Sequence, residues 1–260
     1  MRLVGPMLPE HRVGRVNLKA AFPEKSDAEI DRILDAVWNN LGRVAAEFPH
    51  LETLYDYDPD KRDACRIMST LEVGAIFDRI RDDGKPALVF AAHLANWEVP
   101  ALAAKTYGLE VATLFQRPHL SALADAIIKV RANSMGPLVP NGPDAVFKLA
   151  NVLDRNSHVA MLVDQHYQRG VDVVFFGRPC KANPTLARLA RHYDCPIHGT
   201  RTVRLPDGRY RVDLTEAIEV PRDPDGRINI EGTMQTVTSI VEAWIREYPE
   251  QWLWVHRRWR

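Results

Sequence analysis

The stretch Ala-Leu-Val-Phe-Ala-Ala-His-Leu-Ala-Asn-Trp-Glu at 87–98 joins a short apolar run to a histidine and, at the fifth residue beyond, to a carboxylate. The run itself reads as a buried strand. On a regular helix, residues five apart diverge by about 140°, so a wholly helical 93–98 would turn His93 and Glu98 away from one another. The break therefore falls between them, with His93 at the carboxyl end of the strand and Glu98 in the first turn of the following helix. Open α/β sheets bind ligands in the crevice outside the carboxyl ends of their strands. A base and a carboxylate converging there suit acyl transfer to a hydroxyl.

Outward from this stretch, strand and helix alternate. Helices are expected at about 97–107, 120–133, 143–154 and 184–193, and strands at 110–115, Leu138–Val139 and 158–163, with an irregular segment before the last helix. Short apolar runs followed by amphipathic stretches are βαβ units, which predicts an α/β fold: a mostly parallel central sheet with helices on both faces. Upstream, Ser26 and Glu29 form a capping box for a helix Asp27–Phe48, whose apolar positions recur at helical spacing, and a weaker helix lies near Ser69–Arg81. Strands near 197–204 and 210–214 flank Leu-Pro-Asp-Gly (205–208), a hairpin signal, and are expected as an antiparallel addition at one edge. A last helix, about Ile230–Glu247, stops before Pro249. The chain is read as one domain over 1–260, with an N-terminal helical segment (1–55), an α/β core (85–215), and a C-terminal helix and Trp/Arg-rich tail (228–260).

Composition narrows the chemistry. At 260 residues and 46% apolar content, a substantial core is available. The 34 basic and 34 acidic side chains cancel, so no overall field argues for a nucleic-acid partner. Cys65, Cys180 and Cys195 are odd in number and lack metal-ligand spacing, which fits a reducing compartment. No apolar run approaches the ~18–20 residues of a membrane helix.

Further polar clusters sit at other strand ends. Asp164-Gln165-His166 follows the strand 158–163, and Arg117 follows Val111–Phe115. Parallel strands gather these ends on one edge. The segment Val-Val-Phe-Phe-Gly-Arg-Pro (173–179), with Lys181, Asn183 and Arg188, joins an aromatic stretch to cations, as a site for an acyl chain beside a phosphate requires. Each has a plainer reading beside the functional one. Asp164 and Gln165 serve catalysis or stabilise a loop; Phe175 and Phe176 fit the core better than a substrate contact; Arg117 is a site cation or a surface charge. In the tail, Trp252, Trp254 and Trp259 with Arg257, Arg258 and Arg260 suit an anionic membrane interface, or the segment folds back with its tryptophans buried.

Taken in order, His-Leu-Ala-Asn-Trp-Glu (93–98), Gln-Arg-Pro (116–118), Asp-Gln (164–165), Phe-Phe-Gly-Arg-Pro (175–179) and Pro-Glu-Gln-Trp-Leu-Trp-Val-His-Arg-Arg-Trp (249–259) resemble the motif set of the late acyltransferases of lipid A biosynthesis, the HtrB-type lauroyl/myristoyl transferases. Upstream, Arg12, Asn17-Leu18 and Phe22-Pro23 fit the same resemblance. It implies a glycerolipid-acyltransferase-like fold and transfer of a fatty acyl chain from acyl carrier protein to a hydroxyl of a lipid A precursor. It also implies action at the cytoplasmic face of the inner membrane, peripherally here, with no metal and no cofactor. On that resemblance His93 is the general base and Glu98 orients its imidazole. Arg117 binds phosphate or the developing oxyanion. Asp164 orients Arg117 or the acceptor, and Gln165, Arg178 and Lys181 complete the substrate-binding set. No Gly-x-Ser-x-Gly elbow is present, which favours direct transfer over an acyl-serine. Other readings are an acyl-CoA- or other-glycolipid-dependent enzyme of the same fold, and a non-catalytic lipid-binding homologue.

Overall fold

The central strand β2 (Leu88–Ala91) is apolar at consecutive positions because it is covered on both faces. In this computed structural model, which describes all residues except 55, 57, 59–64, 118–120 and 260, and only the backbone of 121–124, β2 lies between two parallel neighbours. Those neighbours are β5 (His158–Leu162) and β8 (Ile197–Arg204). With β1 (Ile67–Met68), β3 (Val111–Phe115), β4 (Leu138–Pro140) and β9 (Tyr210–Leu214), they form a seven-stranded sheet of order β1-β9-β8-β2-β5-β3-β4. Only β8 and β9 pair antiparallel among its described pairings.

Helices cover both faces, as the alternation predicts. Helix α1 (Pro9–Ala21) precedes α2 (Asp27–Glu47), where Ser26 accepts from the Glu29 N–H and Glu29 reaches back to the Ser26 N–H, so the capping box is made. Next come α3 (Leu51–Leu54), α4 (Leu71–Asp82), α5 (Val99–Thr106), α6 (Ser121–Ser134), α7 (Ala145–Leu153), α8 (Thr185–Tyr193) and α9 (Ile230–Glu247). One core packs Leu88 and Phe90 with Leu34, Trp38, Leu186, Val237 and Ile245 from α2, α8 and α9. The other packs Val111 and Tyr210 with Phe77, Ile80, Val99 and Leu102 from α4 and α5.

Two expectations are corrected. The strands at 197–204 and 210–214 do pair antiparallel, but β8 is interior: Ile197 is level with Leu88 on one side, while β9 on the other is itself flanked by the short β1. The segment expected to be irregular contains a hairpin, β6 (Val171–Phe175) and β7 (Arg178–Ala182), paired with each other and not with the main sheet. Phe176 (φ 53°) and Gly177 (φ 68°) turn it, the two positive φ values that a tight two-residue hairpin loop requires. For the tail, the second of the two readings holds: Trp252, Trp254 and Arg258 are all at most 1% exposed and packed on the domain, and Trp259 is half-buried. Arg260 and the Pro118 of the second motif lie outside the described residues. No described helix is long and apolar enough to cross a membrane. Cys65, Cys180 and Cys195 are all buried free thiols.

Candidate active site

Register brings the first two site residues together. Ala91 of β2 and Leu162 of β5 are partners in a parallel pair, so His93 and Asp164, each two residues further on, leave the sheet side by side. His93 Nδ1 lies 2.8 Å from Asp164 Oδ1, and the His93 backbone N–H donates to Asp164 Oδ2 at 2.9 Å. The same Oδ2 accepts from Trp252 Nε1 at 2.7 Å. The Asp164 side chain has no exposure at all, and His93 has 13%. Burial pushes the Asp164 carboxyl up, but the charge and hydrogen bonds of His93 outweigh it and hold the group well below the usual carboxylate range. With Nδ1 taken, Nε2 is the nitrogen left for a substrate; the Gln165 amide approaches it at 3.4 Å.

The carboxylate that orients the imidazole is therefore Asp164, not Glu98. Glu98 occupies the N-cap position of α5 without capping it, and its side chain is engaged by Arg131 of α6, through Nε to Oε2 at 3.0 Å and through Nη2 to Oε1. The pair is largely buried, with 6% exposure for Glu98 and 18% for Arg131. The strand-to-helix break does fall between His93 and Glu98, but it turns Glu98 toward a partner on another helix.

The turn carrying both residues is tied down from three directions. Ala95 adopts φ 47°, a left-handed conformation that is unfavourable for an L side chain. Its N–H donates to the Gln251 carbonyl at 2.9 Å and its carbonyl accepts from Asn40 Nδ2 at 3.2 Å. Asn96 Oδ1 receives the Glu98 N–H at 3.2 Å, while Asn96 Nδ2 donates to Glu47 Oε2 at 3.0 Å. Glu47 also takes two bonds from Arg204, at 2.7 and 3.0 Å, and one from the Tyr210 hydroxyl. Burial opposes its charge, yet these donors keep the Glu47 carboxyl below its ordinary value.

Beneath this turn lies a cavity of about 580 Å³. Residues at the strand ends give it polar groups: His93, Glu98, Gln116, Asn141 and Gln165, with Arg131 from α6. Residues from the strand interiors and from α4 and α5 are apolar apart from Thr113 and Thr200, among them Val89, Val111, Phe77, Ile80 and Ala104. The site thus pairs an imidazole with a largely apolar chamber.

The remaining expected residues fall outside it. Arg117 forms an exposed ion pair with Asp125 at 3.0 Å and does not line the cavity, which matches the surface-charge alternative. Lys181 pairs with Asp172 at 2.8 Å on the exposed side of the hairpin, and Arg178 lies over the Trp259 ring at 4.7 Å. Phe175 and Phe176 are core residues. Arg131, Glu47 and Trp252 were not singled out for the site by sequence. An arginine in an amphipathic helix carries no local signal of what it will meet. Among the described residues, no cluster of three or more His, Cys, Asp or Glu is placed to hold a metal ion.

No curated protein matches the chain. Among solved structures it is similar, at 9% identity and a TM-score of 0.30, to the C-terminal region of Pasteurella multocida toxin, described as having a thiol-protease-like catalytic triad. That likeness covers 78% of this chain but 33% of the other, so the chain spans about a third of that structure's length. The family model for bacterial lipid A biosynthesis acyltransferases matches residues 3–260. The chain belongs to the bacterial lipid A biosynthesis acyltransferase family.

Proposed function

We propose that this chain transfers a fatty acyl chain from acyl carrier protein to a hydroxyl of a lipid A precursor at the cytoplasmic face of the inner membrane, with His93 as general base. The observation that carries this reading is the His93–Asp164 pair at the polar end of an otherwise apolar cavity. The acyl chain occupies the apolar part, which sets its thioester carbonyl near His93. The acceptor hydroxyl gives its proton to Nε2 as its oxygen attacks that carbonyl. The C–S bond then breaks, the imidazolium returns the proton to the departing thiolate, and the ester is left on the acceptor. Asp164 stabilises the imidazolium without taking its proton. Arg131 replaces Arg117 as the oxyanion candidate: a guanidinium has five N–H donors, and Glu98 engages two of its nitrogens. Glu98 then holds Arg131 in place. A lipid acceptor calls for work at a membrane surface, and Gln165 is positioned to contact it.

Purified protein supplied with a lipid A precursor and either acyl-acyl carrier protein or acyl-CoA tests this, with mass spectrometry of the product. Acylation from the carrier protein is expected, and His93→Ala should slow it by roughly 10²–10⁴-fold. Equal turnover by His93→Ala would remove the base assignment, and turnover from acyl-CoA alone would replace the donor.

A further inference from the structure

The C-terminal motif at 249–259 takes no part in the acyl-transfer steps above, yet it reaches the buried end of the catalytic pair. Asp164 has both oxygens occupied: Oδ1 faces the His93 ring, and Oδ2 accepts from the His93 N–H at 2.9 Å and from Trp252 Nε1 at 2.7 Å. The indole is 1% exposed and is held edge-to-face between Phe175 at 5.6 Å and Trp254 at 4.6 Å, so its N–H has a fixed direction. The same segment grips the turn beyond His93. Leu94 and Trp252 form an antiparallel bridge, and the Gln251 carbonyl receives the Ala95 N–H. An aspartate carboxylate rotates about a soft terminal torsion. Donors on one oxygen decide where the other points.

We propose that Trp252 is a positioning residue for the Asp164–His93 pair: its indole N–H fixes the carboxylate rotation that presents Oδ1 to the His93 ring. The catalytic consequence rests on the acyl-transfer reading; the positioning itself does not. No proton passes through the indole, which is a donor only. Its removal leaves Oδ2 with the His93 N–H alone. The anionic form of the pair loses a stabilising donor, so the pair binds its next proton more tightly. A purely structural tryptophan has no such effect.

Two variants separate the N–H from the ring. Trp252→Phe keeps an aromatic side chain without a donor. Replacing Trp252 by benzothienylalanine keeps the bicyclic shape and puts sulfur where the N–H stood. The titration of the His93 ring is followed by ¹H–¹⁵N NMR, assigned against His93→Ala, and kcat and KM are measured alongside. In both variants the titration midpoint should rise by about half a pH unit or more, with kcat down about tenfold and KM within about twofold, a pattern of lost transition-state rather than ground-state interaction. An unmoved midpoint in the folded benzothienyl protein overturns the proposal whatever happens to turnover. If Trp252→Phe does not fold, the isosteric protein carries the test. A raised midpoint in a protein that transfers no acyl group from any donor leaves the positioning role standing and sinks the acyl-transfer reading.

Discussion

Glu98 and Arg131 show how one side chain decides the use of another. A carboxylate 6% exposed loses most of its hydration, and the Arg131 guanidinium, bound through Nε and Nη2, replaces it. Removing either partner strands the other as an uncompensated buried charge, so Glu98→Gln and Arg131→Met should each destabilise the protein by about 3 kcal/mol. The double variant strands no charge and should be less destabilised than the sum of the two, with a coupling on the order of 1–3 kcal/mol in a urea-denaturation cycle. Additivity within about 0.5 kcal/mol would mean the pair is not made in solution. The sequence placed His93 and Asp164 on one sheet edge because strand ends are legible from apolar runs. It let Asp164 approach His93 but gave the imidazole to Glu98, because the register that sets Ala91 level with Leu162 is a property of two strands far apart in the chain. The Glu98 partner was out of reach for the same reason: Arg131 approaches from a helix 33 residues away.

At the scale of elements, boundaries were readable wherever a local signal marks them. The capping box at Ser26 and Glu29 starts α2 at Asp27, and the helix before Pro249 runs over Ile230–Glu247 as expected. The hairpin β6–β7 was missed because its sequence, two aromatics, a glycine and a Pro-bearing strand, alternates poorly and pairs only with itself. Its turn nevertheless rests on two residues at positive φ, Phe176 and Gly177. Gly177 has φ 68°, and a Cβ there would meet nothing within 4 Å, so a side chain would act through the backbone alone. Gly177→Ala should therefore cost about 1–2 kcal/mol, and Gly177→Asn less, because Asn visits the left-handed region more readily. Thermal unfolding of the three proteins should rank them Gly, Asn, Ala. An alanine protein as stable as the parent would mean that the turn relaxes to another conformation. Because Phe176 N–H donates to Glu242 of α9, such a relaxation would also loosen the hairpin's seat on that helix.

For the molecule as a whole, the sheet divides its ionisable groups by end. The carboxyl edge holds charge in pairs, while His158 at the start of β5 and His198 near the start of β8 flank β2 at the opposite edge, only 5% and 6% exposed. Burial lowers the pKa of His158 against the pull of Asp83 and Glu110, and lowers that of His198 against its bond to the Thr215 carbonyl. His256, beside the His93–Asp164 pair, is lowered the same way. A histidine whose folded pKa lies below its unfolded value binds fewer protons folded than unfolded. Stability must then fall as pH drops through the unfolded value of about 6.5 and on toward the folded values, by at most about 1.4 kcal/mol per group per pH unit. Asp164 acts in a separate, lower window: its depressed pKa contributes stability above about 3.9 that is lost only on further acidification. Urea midpoints should therefore decline from pH 7.5 to 5.5 and decline less in a His158→Gln/His198→Gln protein, whose glutamines do not titrate. Equal slopes in the two proteins would show that the imidazoles at the amino edge are solvated, and would shift the pH dependence to His256 and the carboxyl edge.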